Sequence, residues 1–271
     1  MAIVLYLRGI DANPLPMRLI LFLLLFSGSL LSLKCQQNAP ATENSTADPK
    51  AAAIAQNVME ALGGQEGWDN TRYLAWTFNN QYHVWDKKTN DLRYERGDSL
   101  VVIYNLDNKE GQVFLRGTQV TDTATANPIL RRMYPAWANN SYWLLMPYKL
   151  QDPGVTLAYV GEGKTQAGAP AEILQMTFSK VGVTPENKYL VAVDKQSNLI
   201  TEWSYFSKYT DDTATFTRPW TNYQRYGDIL LSSGRSTDPA DRVNIRDIAV
   251  PASLPAEVFK SPTPLDRSRI K

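Results

Sequence analysis

Hydrophobic positions change their period several times along the chain, and each change marks an element. Leu19 to Leu33 is an almost unbroken apolar run behind Met17 and Arg18. It spans about 15 residues, roughly 22 Å as a helix, whereas a bilayer core needs about 20 residues. A cationic start and a short apolar stretch read as a secretion signal. Asp11, Asn13, Pro14 and Pro16 do not fit that signal, so translation is expected to start at Met17. The signal segment, residues 1–35, ends at Cys35, and residues 36–47 are a polar tether too poor in apolar side chains to build a core. Asp48-Pro49 is a helix start, with Asp as N-cap and Pro in the first turn. Ile54, Val58, Met59 and Leu62 then recur at helical spacing, and Gly63-Gly64 ends the helix.

From Arg72 the period becomes two. Leu74, Trp76 and Phe78 share one face, and Tyr82 and Val84 continue the same parity, the mark of a half-buried strand. Further strands are predicted over 92–95, 100–105, 112–116, 155–160, 172–179, 189–194, 200–207, 222–227, 229–233 and 243–249, at hairpin spacings. Pro128 to Leu150 breaks this pattern and reads as one or two short helices. Strands do not alternate with helices, so the fold class is mainly β (α+β). The expected architecture is a strongly curved antiparallel sheet of ten or eleven strands with helices packed on one side. The domain runs over 48–262, and residues 263–271 are a polar, frayed tail.

Composition narrows the chemistry. The net charge is +1, without a block of like charges, which argues against a nucleic-acid partner. Cys35 is the only cysteine, so no disulfide forms within the chain. Its place behind an apolar segment points to lipidation of a bacterial lipoprotein, although Ser32 and Lys34 depart from the usual cleavage pattern. Ordinary signal cleavage nearby is the alternative. His83 is the only histidine, and no His-dependent triad or zinc site can be assembled without it. It is expected to be a structural or surface residue. Carboxylates such as Glu95, Glu202 and Asp228 leave room for a glycosidase. The sequence carries seven Trp and fourteen Tyr residues, which either fill a sheet core or line a cavity.

The order of features completes the reading. An Ala-rich helix ends in Gly-Gly and is followed by Tyr73-Leu74-Ala75-Trp76-Thr77-Phe78. Tyr142-Trp143-Leu144-Leu145-Met146-Pro147-Tyr148 stands in the middle, with Val191-Ala192-Val193-Asp194 and Asn222-Tyr223-Gln224-Arg225-Tyr226-Gly227 later. Leu254-Pro255-Ala256-Glu257-Val258-Phe259 closes it. This order resembles the outer-membrane lipoprotein-sorting group of LolA/LolB-like fold, over about 48 to 262. The resemblance implies an open half-barrel covered by helices, with an apolar concave face that takes a lipid or lipoprotein acyl chain. The candidate cavity residues are Trp76, Phe78, Met133, Trp137, Trp143, Met146, Met176 and Trp203. The implied protein is a monomer without cofactor or metal and without catalytic residues. It faces the periplasm at the outer membrane if Cys35 is lipidated, and is otherwise periplasmic or secreted. A structural or interaction lipoprotein with a filled core is the second reading, and a glycan-binding module or glycosidase the third.

Overall fold

The computed structural model describes residues 48–179 and 181–271. The signal segment, Cys35 and the tether lie outside the described residues. Helix α1 (Pro49–Ala61) starts where the sequence places it. The Asp48 carboxylate accepts from Lys50 N and Ala51 N, and its second oxygen accepts from Tyr159 N at 2.7 Å. Asp48 therefore caps the helix and ties it to a strand far along the chain. Gly63 (φ 119°) ends α1, and a short second helix, α2 (Gly64–Asn70), follows. The periodicity did not reveal α2, because seven residues with two glycines carry no readable apolar stripe. A Cβ on Gly63 would lie 2.1 Å from the Asp228 carbonyl oxygen, so only glycine fits this corner.

Seven strands form the first sheet: β1 (Tyr73–Phe78), β2 (Gln81–Asp86), β3 (Asp91–Arg96), β4 (Leu100–Asn105), β5 (Gly111–Leu115), β6 (Thr118–Gln119) and β14 (Arg246–Ala249). Their order is β14-β1-β2-β3-β4-β5-β6. The second sheet holds β7 (Val155–Lys164), β8 (Pro170–Phe178), β9 (Lys188–Asp194), β10 (Ile200–Phe206) and β11 (Phe216–Pro219), in the order β11-β10-β9-β8-β7. A hairpin of β12 (Thr221–Tyr226) and β13 (Ile229–Gly234) bridges them. Trp220 N donates to Thr201 O at 2.8 Å, and Ile245 N donates to Ser233 O at 2.9 Å. Every strand pairing is antiparallel, and β6 and β7 at the two extremes do not pair. The fold is thus α+β, an open half-barrel, and no barrel closes. Helices α3 (Thr123–Leu130) and α4 (Met133–Leu145) fill the stretch that breaks the β pattern, and a 3-10 turn, Met146–Lys149, follows them. Among the described residues no helix is long and apolar enough to cross a membrane.

Two expectations change. Asn79 and Asn80 both have left-handed backbones (φ 47° and 63°), which makes the β1–β2 connection a two-residue hairpin of the type that suits the strand twist. This turn pairs Trp76 with His83 and Ala75 with Val84. The inward face therefore runs Leu74, Trp76, Phe78, His83, Trp85, whereas Tyr82 and Val84 point outward with Ala75. They are nevertheless buried, because Val258 and Ile270 pack over them. The second change follows from this. Residues 263–271 are not frayed. The fully buried Arg93 on β3 donates to Glu95 at 2.6 Å, to Val258 O at 2.9 Å, to Ser261 O at 2.8 Å and to Thr263 O. Glu95 in turn accepts from Leu265 N at 2.9 Å. A polar composition hides this strap, since it is held by its backbone groups and by a few apolar anchors.

Candidate functional site

The eight residues expected to line a cavity all belong to one core cluster. Seven are buried, and Trp137 is half-buried. Helix α4 brings them together by entering the concave side of the half-barrel. Its Trp143 stacks on Phe78 of the first sheet at 5.0 Å. It also meets Trp203 edge-on at 5.0 Å and stacks on Phe216 of the second sheet at 5.6 Å. Tyr189 stacks on Trp203 at 5.2 Å with an interplanar angle of 8°. The middle of the concave face is therefore occupied by side chains of α4. Packing of this kind stabilises through area and contact geometry.

Two polar groups inside this core escaped the sequence reading or were only partly anticipated. Arg235 is fully buried, and its guanidinium lies 3.3 Å from the Trp220 ring centroid. It donates to Trp143 O (3.1 and 2.8 Å), Ser232 O (3.0 Å), Ser232 Oγ (2.8 Å) and Gly234 O (2.7 Å). No carboxylate faces it among the described residues, and burial pushes its pKa down to about 9. The carbonyl it holds lies in the last turn of α4, at the negative end of the helix dipole, which favours a cation there. Arg235 thus fixes α4 inside the half-barrel. Nothing in its local sequence marks it, because its partners lie up to 92 positions away.

His83 is buried as a structural group. It stacks on Trp76 at 4.7 Å, meets Tyr94 edge-on at 5.4 Å, and its Nε2 lies 3.2 Å from Asn140 Nδ2. The amide is a donor, so Nε2 accepts and the ring is neutral. Burial pushes its pKa down to about 3. Asn140 also donates to Gln81 Oε1 at 3.0 Å, which Tyr94 OH reaches at 3.1 Å. The three carboxylates considered for hydrolysis do not converge. Glu95 is committed to Arg93 under the strap, Glu202 on β10 accepts from Gln166 N, and Asp228 is exposed in the β12–β13 turn. Among the described residues no cluster of three His, Cys, Asp or Glu side chains is placed to hold a metal ion.

The concave face does open at one end of the first sheet. A groove of about 690 Å³ lies between the β4–β5 connection and the α3–α4 junction. Tyr104, Leu130, Tyr134 and Pro135 supply its apolar surface, and Lys109, Glu110, Asn127 and Arg131 its polar one. Its floor is the inner face, since Tyr104 belongs to the core cluster and pairs with Gly111 across β4 and β5. The Lys109 ammonium sits 5.3 Å from the Tyr134 ring centroid. Burial, and after it the neighbouring Tyr134, raises the Tyr104 pKa. Above the groove, α3 buries no residue completely and contains Pro128, so it is lightly held. None of the eight expected residues lines this groove, although Met133 and Trp137 flank its Tyr134 and Pro135 on α4. The local signals were Lys109 in the turn Leu106-Asp107-Asn108-Lys109-Glu110, and the basic Arg131 between the helices.

No protein-family model matches the chain, and no curated protein matches it. Among solved structures it is similar to a DUF1329 family protein from Desulfovibrio piger, with 13% identity and a TM-score of 0.39. That alignment covers 79% of this chain and 98% of the other. MucB, solved in complex with periplasmic MucA, aligns at 13% identity and a TM-score of 0.23, over 67% of this chain and 61% of MucB. Similarities at this level bear on neither ligand nor partner, so a functional reading has to come from this chain's own side chains.

Proposed function

We propose that the chain is an exported, non-catalytic lipid-binding protein that holds an acyl chain at the open end of its half-barrel. The observation that carries this reading is the groove of about 690 Å³ on the concave face. Its volume falls within the range of about 300 to 1,000 Å³ typical of small-molecule sites. Tyr104, Leu130, Tyr134 and Pro135 offer an acyl chain apolar surface, and each CH₂ buried there contributes roughly 0.8 kcal/mol. Lipidation of Cys35 would tether the protein to the periplasmic face of the outer membrane. The groove, not the centre of the eight-residue cluster, is the binding surface in this reading. Lipid extraction from the purified full chain, followed by mass spectrometry, and titration with a fluorescent fatty acid test it. Co-purifying lipid or saturable binding is expected. Absence of both overturns the reading.

A second reading is favoured by a separate observation. Trp143 bridges the two sheets and fills the middle of the concavity, which suits a structural or interaction lipoprotein that carries no ligand. The same titration separates the two.

A further inference from the structure

We infer that the groove selects amphiphiles with an anionic head, and that Lys109 and Arg131 are the groups that read it. The inference rests on the lipid-binding reading and adds the class of ligand. Three observations carry it. The first is charge. Lys109 and Arg131 line the groove against the single acidic side chain Glu110, and among the described residues neither cation has a carboxylate within ion-pair distance. Unpaired cations beside an apolar wall are complementary to a carboxylate or phosphate that ends an acyl chain.

The second is backbone conformation. Lys109 has φ 61°, in the left-handed region. Among the described residues, the other non-glycine residues there are Asn79, Asn80, Asn90, Asn198, Asn222 and Asp247, which tolerate it, and Arg116. Glycine or asparagine would take this conformation with less strain. The turn nonetheless fixes a lysine in it, through Lys109 N to Asn105 O at 3.0 Å and Asn105 N to Glu110 O at 2.9 Å. Backbone strain of this kind is tolerated at functional sites, and Lys109, unlike Arg116, lines the groove. The third is position. The ammonium is poised near the Tyr134 face, at the boundary between the apolar wall and the solvent, where a head group would emerge while its chain lies against Tyr104 and Leu130.

The test uses the full chain and three probes with the same sixteen-carbon tail: palmitate, hexadecyl phosphate and hexadecanol. One charge-assisted hydrogen bond corresponds to about tenfold in affinity, so palmitate and hexadecyl phosphate are each expected to bind at least about tenfold more tightly than hexadecanol. Raising the salt concentration should narrow that ratio. Lys109→Gly and Arg131→Gln should each shrink it towards one. Lys109→Gly should do so without lowering Tm, because glycine relieves the left-handed backbone, a combination that a purely structural lysine would not give. Palmitate but not hexadecyl phosphate above hexadecanol assigns the site to carboxylates, and the reverse assigns it to phosphates. Hexadecanol binding as tightly as both anions overturns the charge selection but leaves acyl binding standing. Loss of Lys109 that weakens all three probes equally does the same. No binding of any probe overturns both.

Discussion

At the scale of the residue, the core is held by polar groups that must stay in one protonation state. His83 shows this most directly. In water its pKa is about 6.5, and in the fold burial lowers it to about 3. Folding therefore disfavours the protonated ring. The stability this neutral His83 permits is fully present above pH 6.5 and is lost as the pH falls from there towards 3. Linkage puts the loss at about 2 kcal/mol between pH 7 and pH 5. Urea unfolding at those two pH values should show that drop in the wild type and a smaller one in His83→Gln. Equal drops would remove His83 as the cause. A structural or surface position was legible from a lone histidine in an alternating strand. Its depth was not, because the parity that turns it inward is set by Asn79 and Asn80. Arg235 was not legible at all, because its acceptors are backbone carbonyls brought to it by α4 and β13.

Among the elements, strands and the first helix followed from periodicity, and the helical stretch in the middle was recognised by its loss. Among the described residues fourteen strands form where ten or eleven were expected, partly because β6 has only two residues and β11 only four, too short for a pattern. The C-terminal strap is the larger discrepancy. It covers the outer face of the first sheet through Val258, Leu265 and Ile270, and it supplies the backbone partners of the Arg93–Glu95 pair. Truncation after Pro262 should thus behave as a core deletion. It strips two apolar anchors and leaves a buried ion pair short of partners, at a cost of about 3 kcal/mol or more. A lower urea midpoint in the truncated chain checks this, and an unchanged midpoint would restore the frayed tail.

For the whole molecule, the division of the concave face is what matters. The sequence assigned its aromatic and Met residues to either core or pocket, and the structure packs them around α4 while leaving the groove to Tyr104, Lys109, Leu130, Arg131 and Tyr134. Trp143→Ala separates these regions. Removing a buried indole should cost about 3 to 5 kcal/mol, read as a fall in the urea midpoint, while palmitate affinity should stay close to that of the wild type. A large gain in affinity would instead place the ligand in the middle of the half-barrel, where the indole had stood.

The sequence by itself determined the α+β class, the antiparallel strands and the start of α1 at Asp48. These follow from local periods and caps, which need no knowledge of distant residues. Tertiary structure alone decided which face of β2 points inward, what covers the outer sheet, and where the concave face stays open. Each of those depends on a helix, a strap or a turn meeting residues far away in the chain. The groove is the clearest case. It lies between the α3–α4 junction and the β4–β5 connection, beside the middle of the concave face that α4 fills, and no local pattern records a space left between elements.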